Sequence, residues 1–182
     1  MEFFAALEHR RSIRAYAAEP LDASKIDAIL DAVRLAPSAG DVQAYRIALV
    51  ESGEAKAALA EAAFGQSFLA QAPLVLVFFA DPERSGAKYN QRGRTLFALQ
   101  DATIAAAYAQ LSAAAIGLGS CWVGAFDDAA VARVLAAPDE LRPVAIIPIG
   151  VAAEAPERPV RRSRDALVVR ETFAAGRKPR TR

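Results

Sequence analysis

The stretch "TLFALQDATIAAAYAQLSAAAIGLG", Thr95 to Gly119, decides how the chain folds. From Asp101 to Ile116 its only polar side chains besides Tyr108 are Asp101, Thr103, Gln110 and Ser112. Alanine and other apolar residues take up every remaining direction, and a helix that is apolar all round is buried on all sides. A chain of 182 residues has material for one core. Covering this helix completely is then easiest with a second copy of the chain. The pattern predicts a central helix and a homodimer.

Working outward, "PLVLVFFA" (Pro73–Ala80) is an apolar, largely β-preferring run bounded by Pro and Asp, which predicts a strand buried on both faces. "PVAIIPIGVA" (Pro143–Ala152) reads the same way, and "YRIALVE" (Tyr45–Glu51) alternates like a strand. Helices are expected at "EFFAALEHR", "EAKAALAEAAF" and "DDAAVARVLAA", the last capped by Asp127 or Asp128. A further helix over "PLDASKIDAILDAVRLAP" has Asp22 as N-cap and Ile26, Ile29, Leu30 and Val33 on one face. Pro37 ends it, and "SAGD" makes a turn-rich loop. "DPERSGAKYNQRG" is expected to be a polar loop, and "SCWVGAF" a short extended piece. Helices and strands alternate irregularly, which predicts an α+β sandwich with a mixed sheet between helices. With no internal linker or repeat, one domain is expected over residues 1–175, followed by a basic, disordered tail at 176–182.

Twenty-two basic residues against twenty-one acidic ones give a net charge of +1, which disfavours a nucleic-acid partner. No run is long and charge-free enough to span a membrane, so no membrane partner is expected. The N-terminus reads as neither a signal nor a transit peptide. A single cysteine allows no internal disulfide and fits a reducing cytoplasm. With one histidine (His9) and one cysteine (Cys121), no His/Cys zinc site can form within the chain, and no metal is expected. Cys121 has no base among its neighbours in "GSCWVG", and His9 reads as a surface or interface residue. Side chains for difficult chemistry are scarce, which points to a cofactor. "GLGSCW" is not a dinucleotide fingerprint: Trp122 holds the third glycine position, and the glycines follow a helix instead of a strand. Trp122 itself reads as core packing.

"RRSIRAY" (Arg10–Tyr16) sets three arginines and a serine within five residues. Alone, it reads first as a solvated basic segment; the functional reading is an anion site, since guanidinium matches phosphate oxygens in a two-pronged fashion. A second arginine group, "RPVRRSR" (Arg158–Arg164), favours two clusters converging on one anion.

The succession "RRSIRAY", "APSAGDVQAY", "FLAQAPLVLV", "YNQRGRTLFALQDAT", "GLGSCWVGAFD", "PVAIIPIGVA" and a late arginine pair strongly resembles the FMN-dependent nitroreductase family, from about His9 to Phe173. The resemblance implies a homodimeric three-layer α/β/α sandwich with a mixed, mainly antiparallel sheet. It implies FMN as cofactor, NAD(P)H as donor and a small-molecule electron acceptor. By resemblance, Arg10 and Ser12, with Arg11 beside them, bind the phosphate and ribityl region, and Arg14 faces the N1/O2 edge of the flavin. Arg161 and Arg162 complete the phosphate cage, with Arg164 a close competitor. The loop Pro37, Ser38, Ala39, Gly40, Asp41 and Gln43 reaches the flavin of the other subunit. Asp41 departs from the family's usual asparagine and cannot donate an amide hydrogen bond; Ala44 replaces a common proline. The Gly124 N–H, with Val123 adjoining, approaches flavin N5, and no side chain is needed as acid or base. Tyr89, Asn90 and Arg92 border the substrate face without an assigned role. The implied activity is ping-pong hydride transfer to nitroaromatic, quinone or similar acceptors. The same scaffold also admits dehalogenation, enone reduction or flavin breakdown, and a flavin carrier or redox sensor is the rival outside enzymes.

Overall fold

In the computed structural model, which describes residues 1–173, strand β2 (Leu74–Ala80) has no exposed residue. Its alternate side chains go to opposite layers, as the two-residue period of a strand requires. Leu74, Leu76 and Phe78 meet one apolar cluster, with Ile29, Val33, Ala105 and Ala109; Val75, Val77 and Phe79 meet another, with Leu59, Leu69 and Val131. The sheet is therefore the middle layer of three.

Four strands form it, in the order β1 (Tyr45–Val50), β2, β4 (Arg142–Gly150), β3 (Gly119–Ser120), and each neighbouring pair is antiparallel. The sheet is antiparallel, and the parallel pairing among the described residues is an isolated bridge between Ser12, which lies outside its strands, and Ser120. Helices α1 (Phe3–His9), α2 (Ala23–Arg34) and α6 (Ala98–Ala115) lie on one side. Helices α3 (Gly53–Ala62), α4 (Phe68–Gln71) and α7 (Asp128–Val134) lie on the other. Asp127 caps α7, its carboxylate accepting from Ala130 N–H at 2.8 Å. Asp22 stands at the start of α2 without a side-chain cap bond.

One segment differs from the sequence pattern. The segment expected to be a polar loop is helix α5 (Pro82–Arg92). Asp81 caps it, accepting from Arg84 N–H at 2.9 Å, and Pro82 follows at the first turn, where a missing N–H costs nothing. Polar composition hid it because α5 lies over the 38–44 loop at the protein's edge with little apolar surface to bury. The helix kinks at Asn90 (φ 50°) and runs through a wide π-type turn at Gly93–Phe97 into α6. Gly93 is required there, because a Cβ would sit 2.4 Å from the Ser85 carbonyl oxygen.

Helix α6 is not fully covered within one chain. Ala102, Ala105, Ala106, Ala109 and Ala113 are buried within the single chain, but Leu99, Thr103, Ile104, Ala107 and Leu111 form a stripe that one chain covers only in part. From 152 to 173 the chain is mostly exposed and irregular apart from a short turn at Arg164–Ala166, with Val160 and Phe173 bare. The domain boundary at 175 and the expected tail at 176–182 lie outside the described residues. No helix among those described is long and apolar enough to cross a membrane.

Candidate functional site

Residues 12–17 thread between β3 and the segment after β4, and this brings the two ends of the chain together. Ile13 N–H donates to Ser120 O at 3.0 Å on one side. On the other, Ala17 N–H donates to Val151 O and Ala153 N–H to Ala15 O, both at 2.9 Å. The Arg14 N–H donates to the Glu154 carboxylate. Tyr16 locks the thread, its hydroxyl donating to Ile13 O at 2.6 Å, and burial pushes its phenol well above the ordinary tyrosine value.

The result is a cavity of about 610 Å³, within the range of cofactor sites. Arg10, Arg11, Ser12 and Arg14 line it from the start of the chain, and Arg158 and Arg161 from its end. Leu7, Trp122, Pro156 and Pro159 supply apolar wall, Gln110 reaches in from α6, and Glu157 is the lone acid. Arg10 titrates below the ordinary arginine value, first through burial and then through the charges of Arg161 and Arg11. Two like charges held together by the fold favour an anion between them. Arg11 is partly committed elsewhere, donating to the Glu8 and Arg10 carbonyls at 2.5 and 2.9 Å at the end of α1. Arg162 and Arg164 do not line the cavity. Arg162 donates to Ala166 O at 2.6 Å, closing a short turn at Arg164–Ala166. Cys121, buried close by, has its thiol pushed up by that burial, which suits a packed residue and not a nucleophile.

Val123 and Gly124 differ sharply. Val123 exchanges both backbone hydrogen bonds with Ile146 at 3.0 Å, so its N–H is spent in the sheet. The exposed Gly124 N–H has no protein acceptor among the described residues. Its neighbour Trp122 is half-buried, packing against the α2–α6 layer while also walling the cavity.

The 37–43 loop does not join this cavity within one chain. Pro37, Ser38 and Ala39 line a separate groove of about 550 Å³ with Phe97, Leu99 and Asp101. The loop is tightly held. Asp101, 2% exposed, accepts from Ala39 N–H at 3.0 Å with one oxygen and from Ala44 N–H at 3.3 Å with the other. Ser38 Oγ accepts from Gln43 N–H at 3.0 Å. From α5, Arg84 Nε donates to Val42 O at 2.7 Å and Lys88 Nζ to Gly40 O at 2.9 Å. Gly40, Asp41 and Gln43 all have positive φ, between 50° and 56°, a region costly for residues with a Cβ. Tyr89 lies over Gly40, where a Cβ would come 2.0 Å from its hydroxyl, and stacks edge-on against Phe97 at 5.1 Å. Arg92 sits over the same Phe97 ring at 5.3 Å.

The order of these pieces along the chain is matched elsewhere. The sequence model of the Nitroreductase family aligns with residues 7–67 and 62–151. The chain belongs to the nitroreductase family. It is 34% identical over 172 residues to a NADH dehydrogenase of Thermus thermophilus, covering 80% of this chain and 84% of that protein. It is 30% identical to an FMN reductase [NAD(P)H] of Bacillus subtilis over 185 residues, 94% of this chain and 74% of the other. The solved structure of B. megaterium NfrA2 superposes with a TM-score of 0.87 at 27% identity, covering 95% of this chain and 76% of that one. Nitroreductase membership agrees with the three-layer fold built above. Three residues at these sites were not marked by the sequence pattern. Gln110 and Asp101 were visible as rare polar positions on an alanine-rich helix, whereas Arg158 stood undistinguished within its basic run.

Proposed function

We propose that this nitroreductase-family protein, an FMN-dependent NAD(P)H oxidoreductase, holds the flavin's phosphate and ribityl tail between Arg10, Ser12, Arg158 and Arg161. The observation that carries the reading is the meeting of Arg10 and Arg161 around one cavity, close enough for the Arg161 charge to add to burial in lowering Arg10's affinity for a proton. A phosphate monoester brings about −1.5 to −2 charges, enough to relieve that repulsion. Arg14 sets a fixed positive charge at the pyrimidine edge of the ring, where it favours the anionic reduced form without reorganising. The Gly124 N–H is the donor toward N5, since Val123 has none to spare. Bound FMN supplies the redox chemistry: hydride from NAD(P)H, passed in ping-pong order to a nitroaromatic, quinone or similar conjugated acceptor.

The working unit is a homodimer in which the 37–43 loop of one copy faces the cavity of the other. Three features support it: the loop lies apart from its own chain's cavity, α6 keeps an uncovered apolar stripe, and Phe3, Phe4, Leu35 and the irregular arm are exposed. Light scattering on flavin-loaded protein is expected to give the mass of two chains. Purified protein should be yellow and bleach anaerobically with NADH or NADPH, then recover colour when an acceptor is added. Protein that stays yellow with either donor yet photoreduces would be a flavin holder, and protein that takes up no flavin on reconstitution would overturn the reading.

A further inference from the structure

Away from the flavin cavity, on the far side of the 37–43 loop, lies a smaller pocket of about 300 Å³ lined by Arg34, Gln43, Tyr45, Arg46 and Arg84. Its three arginines come from three elements: the last residue of α2, the start of β1 and the first turns of α5. We propose that Arg34, Arg46 and Arg84 form a phosphate-monoester site that recognises the ribose 2′-phosphate of NADPH. This rests on the proposed function, which gives the site a nicotinamide donor to discriminate.

Three of the lining side chains each hold a backbone carbonyl. Val33 O accepts from the Tyr45 hydroxyl at 3.2 Å, Arg34 O from Gln43 Nε2 at 3.2 Å and Val42 O from Arg84 Nε at 2.7 Å. These contacts leave most of the guanidinium N–H groups without a partner among the described residues. Burial pushes the Tyr45 phenol up, so it stays neutral.

The acids present do not fill the pocket. Asp31 meets Arg34 Nη1 at 3.2 Å, and Asp81 meets Arg46 Nε at 3.8 Å. Each contact occupies one edge of a guanidinium that carries five donors. The Asp81 carboxylate is further committed to capping α5. Arg84 has no carboxylate partner among the described residues. What is left is a concave, net-positive cluster of planar donors, suited to a compact dianion.

Position selects the source of that dianion. The flavin phosphate has its own cavity. The second pocket adjoins Gln43, which closes the loop placed at the ring edge of the flavin held by the partner copy. A donor whose nicotinamide stacks on that ring extends its adenosine ribose away from it, and NADPH differs from NADH only in the 2′-phosphate there.

The test is calorimetric titration of adenosine 2′,5′-bisphosphate, adenosine 5′-monophosphate and inorganic phosphate into the parent and into an Arg34→Gln/Arg46→Gln double variant. Arg84 is kept because it also holds Val42. Both replaced side chains are largely exposed (79% and 67%), so the fold is expected to survive. The parent should bind the bisphosphate at least about tenfold tighter than the monophosphate, the usual weight of a charged hydrogen bond. The variant should lose that margin, and its NADPH-over-NADH ratio of kcat/KM should fall by a similar factor. A parent without the margin, a margin that survives in the variant, or equal losses with both donors would overturn the assignment. So would inorganic phosphate binding as tightly as the bisphosphate, which would mean a site for the free ion. Flavin content measured on the same samples separates the two readings: protein without flavin sinks the proposed function, while the nucleotide margin decides this one independently.

Discussion

The arginine cavity and the 37–44 loop are built on opposite plans. In the loop, donors and acceptors are matched: Asp101 takes two backbone N–H groups, Ser38 takes a third, and Arg84 and Lys88 fasten two carbonyls. Three positive-φ positions within four residues are tolerated because these contacts over-determine the backbone. In the cavity, Arg10, Arg14, Arg158 and Arg161 face one acid, Glu157, and Arg10 is made less basic by its own neighbours. One region is finished by the chain itself. The other is left for an anion to finish, and the contrast teaches that rigidity here was placed where no ligand supplies it.

The largest effect should come from breaking the finished side. Asp101→Asn keeps the shape but turns an NH₂ toward a backbone N–H, leaving a buried donor unpaired. The expected loss is about 2–4 kcal/mol of stability, read as a lower denaturation midpoint at unchanged slope. A variant as stable as the parent would mean the loop is held chiefly from α5.

On the unfinished side, Arg10→Ala should weaken FMN binding by about 1.5–3 kcal/mol, measured by fluorescence titration. The sharper expectation concerns the flavin-free protein, whose stability should be equal or higher because Arg161 and Arg11 lose a like-charged neighbour. Equal destabilisation with and without flavin would make Arg10 a packing residue and erase the contrast.

The smallest effect lies at the base of α5, where Arg94 grips the Glu83 carboxylate at 3.0 and 2.8 Å and the hydrogen bond holds that carboxyl below its ordinary value. A depressed carboxyl contributes stability above its unfolded value, near 4.3, and loses it as pH falls through the folded value. Glu83→Gln should therefore melt slightly below the parent at neutral pH and together with it in acid. The pair is open to solvent, so the gap should be small.

Much of this was legible in the residues, and the reasons are local. β2 and β4 announce themselves because strands buried on both faces need unbroken apolar runs, and α2 because a one-sided helix needs a 3.6-residue period. The opening arginine motif was legible as well, since its members are adjacent in the chain. Helix α5 was not, because it is stabilised by its Asp81 cap, Pro82 and polar contacts to a loop, none of which leaves a hydrophobic period. Which of the late arginines line the cavity was not legible: Arg158 and Arg161 do and Arg162 and Arg164 do not, and spacing along an irregular arm does not say which side chain turns inward.

By itself the amino-acid order determined the layers, the central helix and the two basic clusters, because burial and helical or strand periodicity act between residues close in the chain. Only the tertiary structure decided which charges meet. Threading residues 12–17 between β3 and the segment after β4 brings Arg10 and Arg161 to one cavity across most of the chain's length. The same folding draws Arg34, Arg46 and Arg84 together from three elements. Electrostatic repulsion depends on distance in space, and no period in the sequence encodes that.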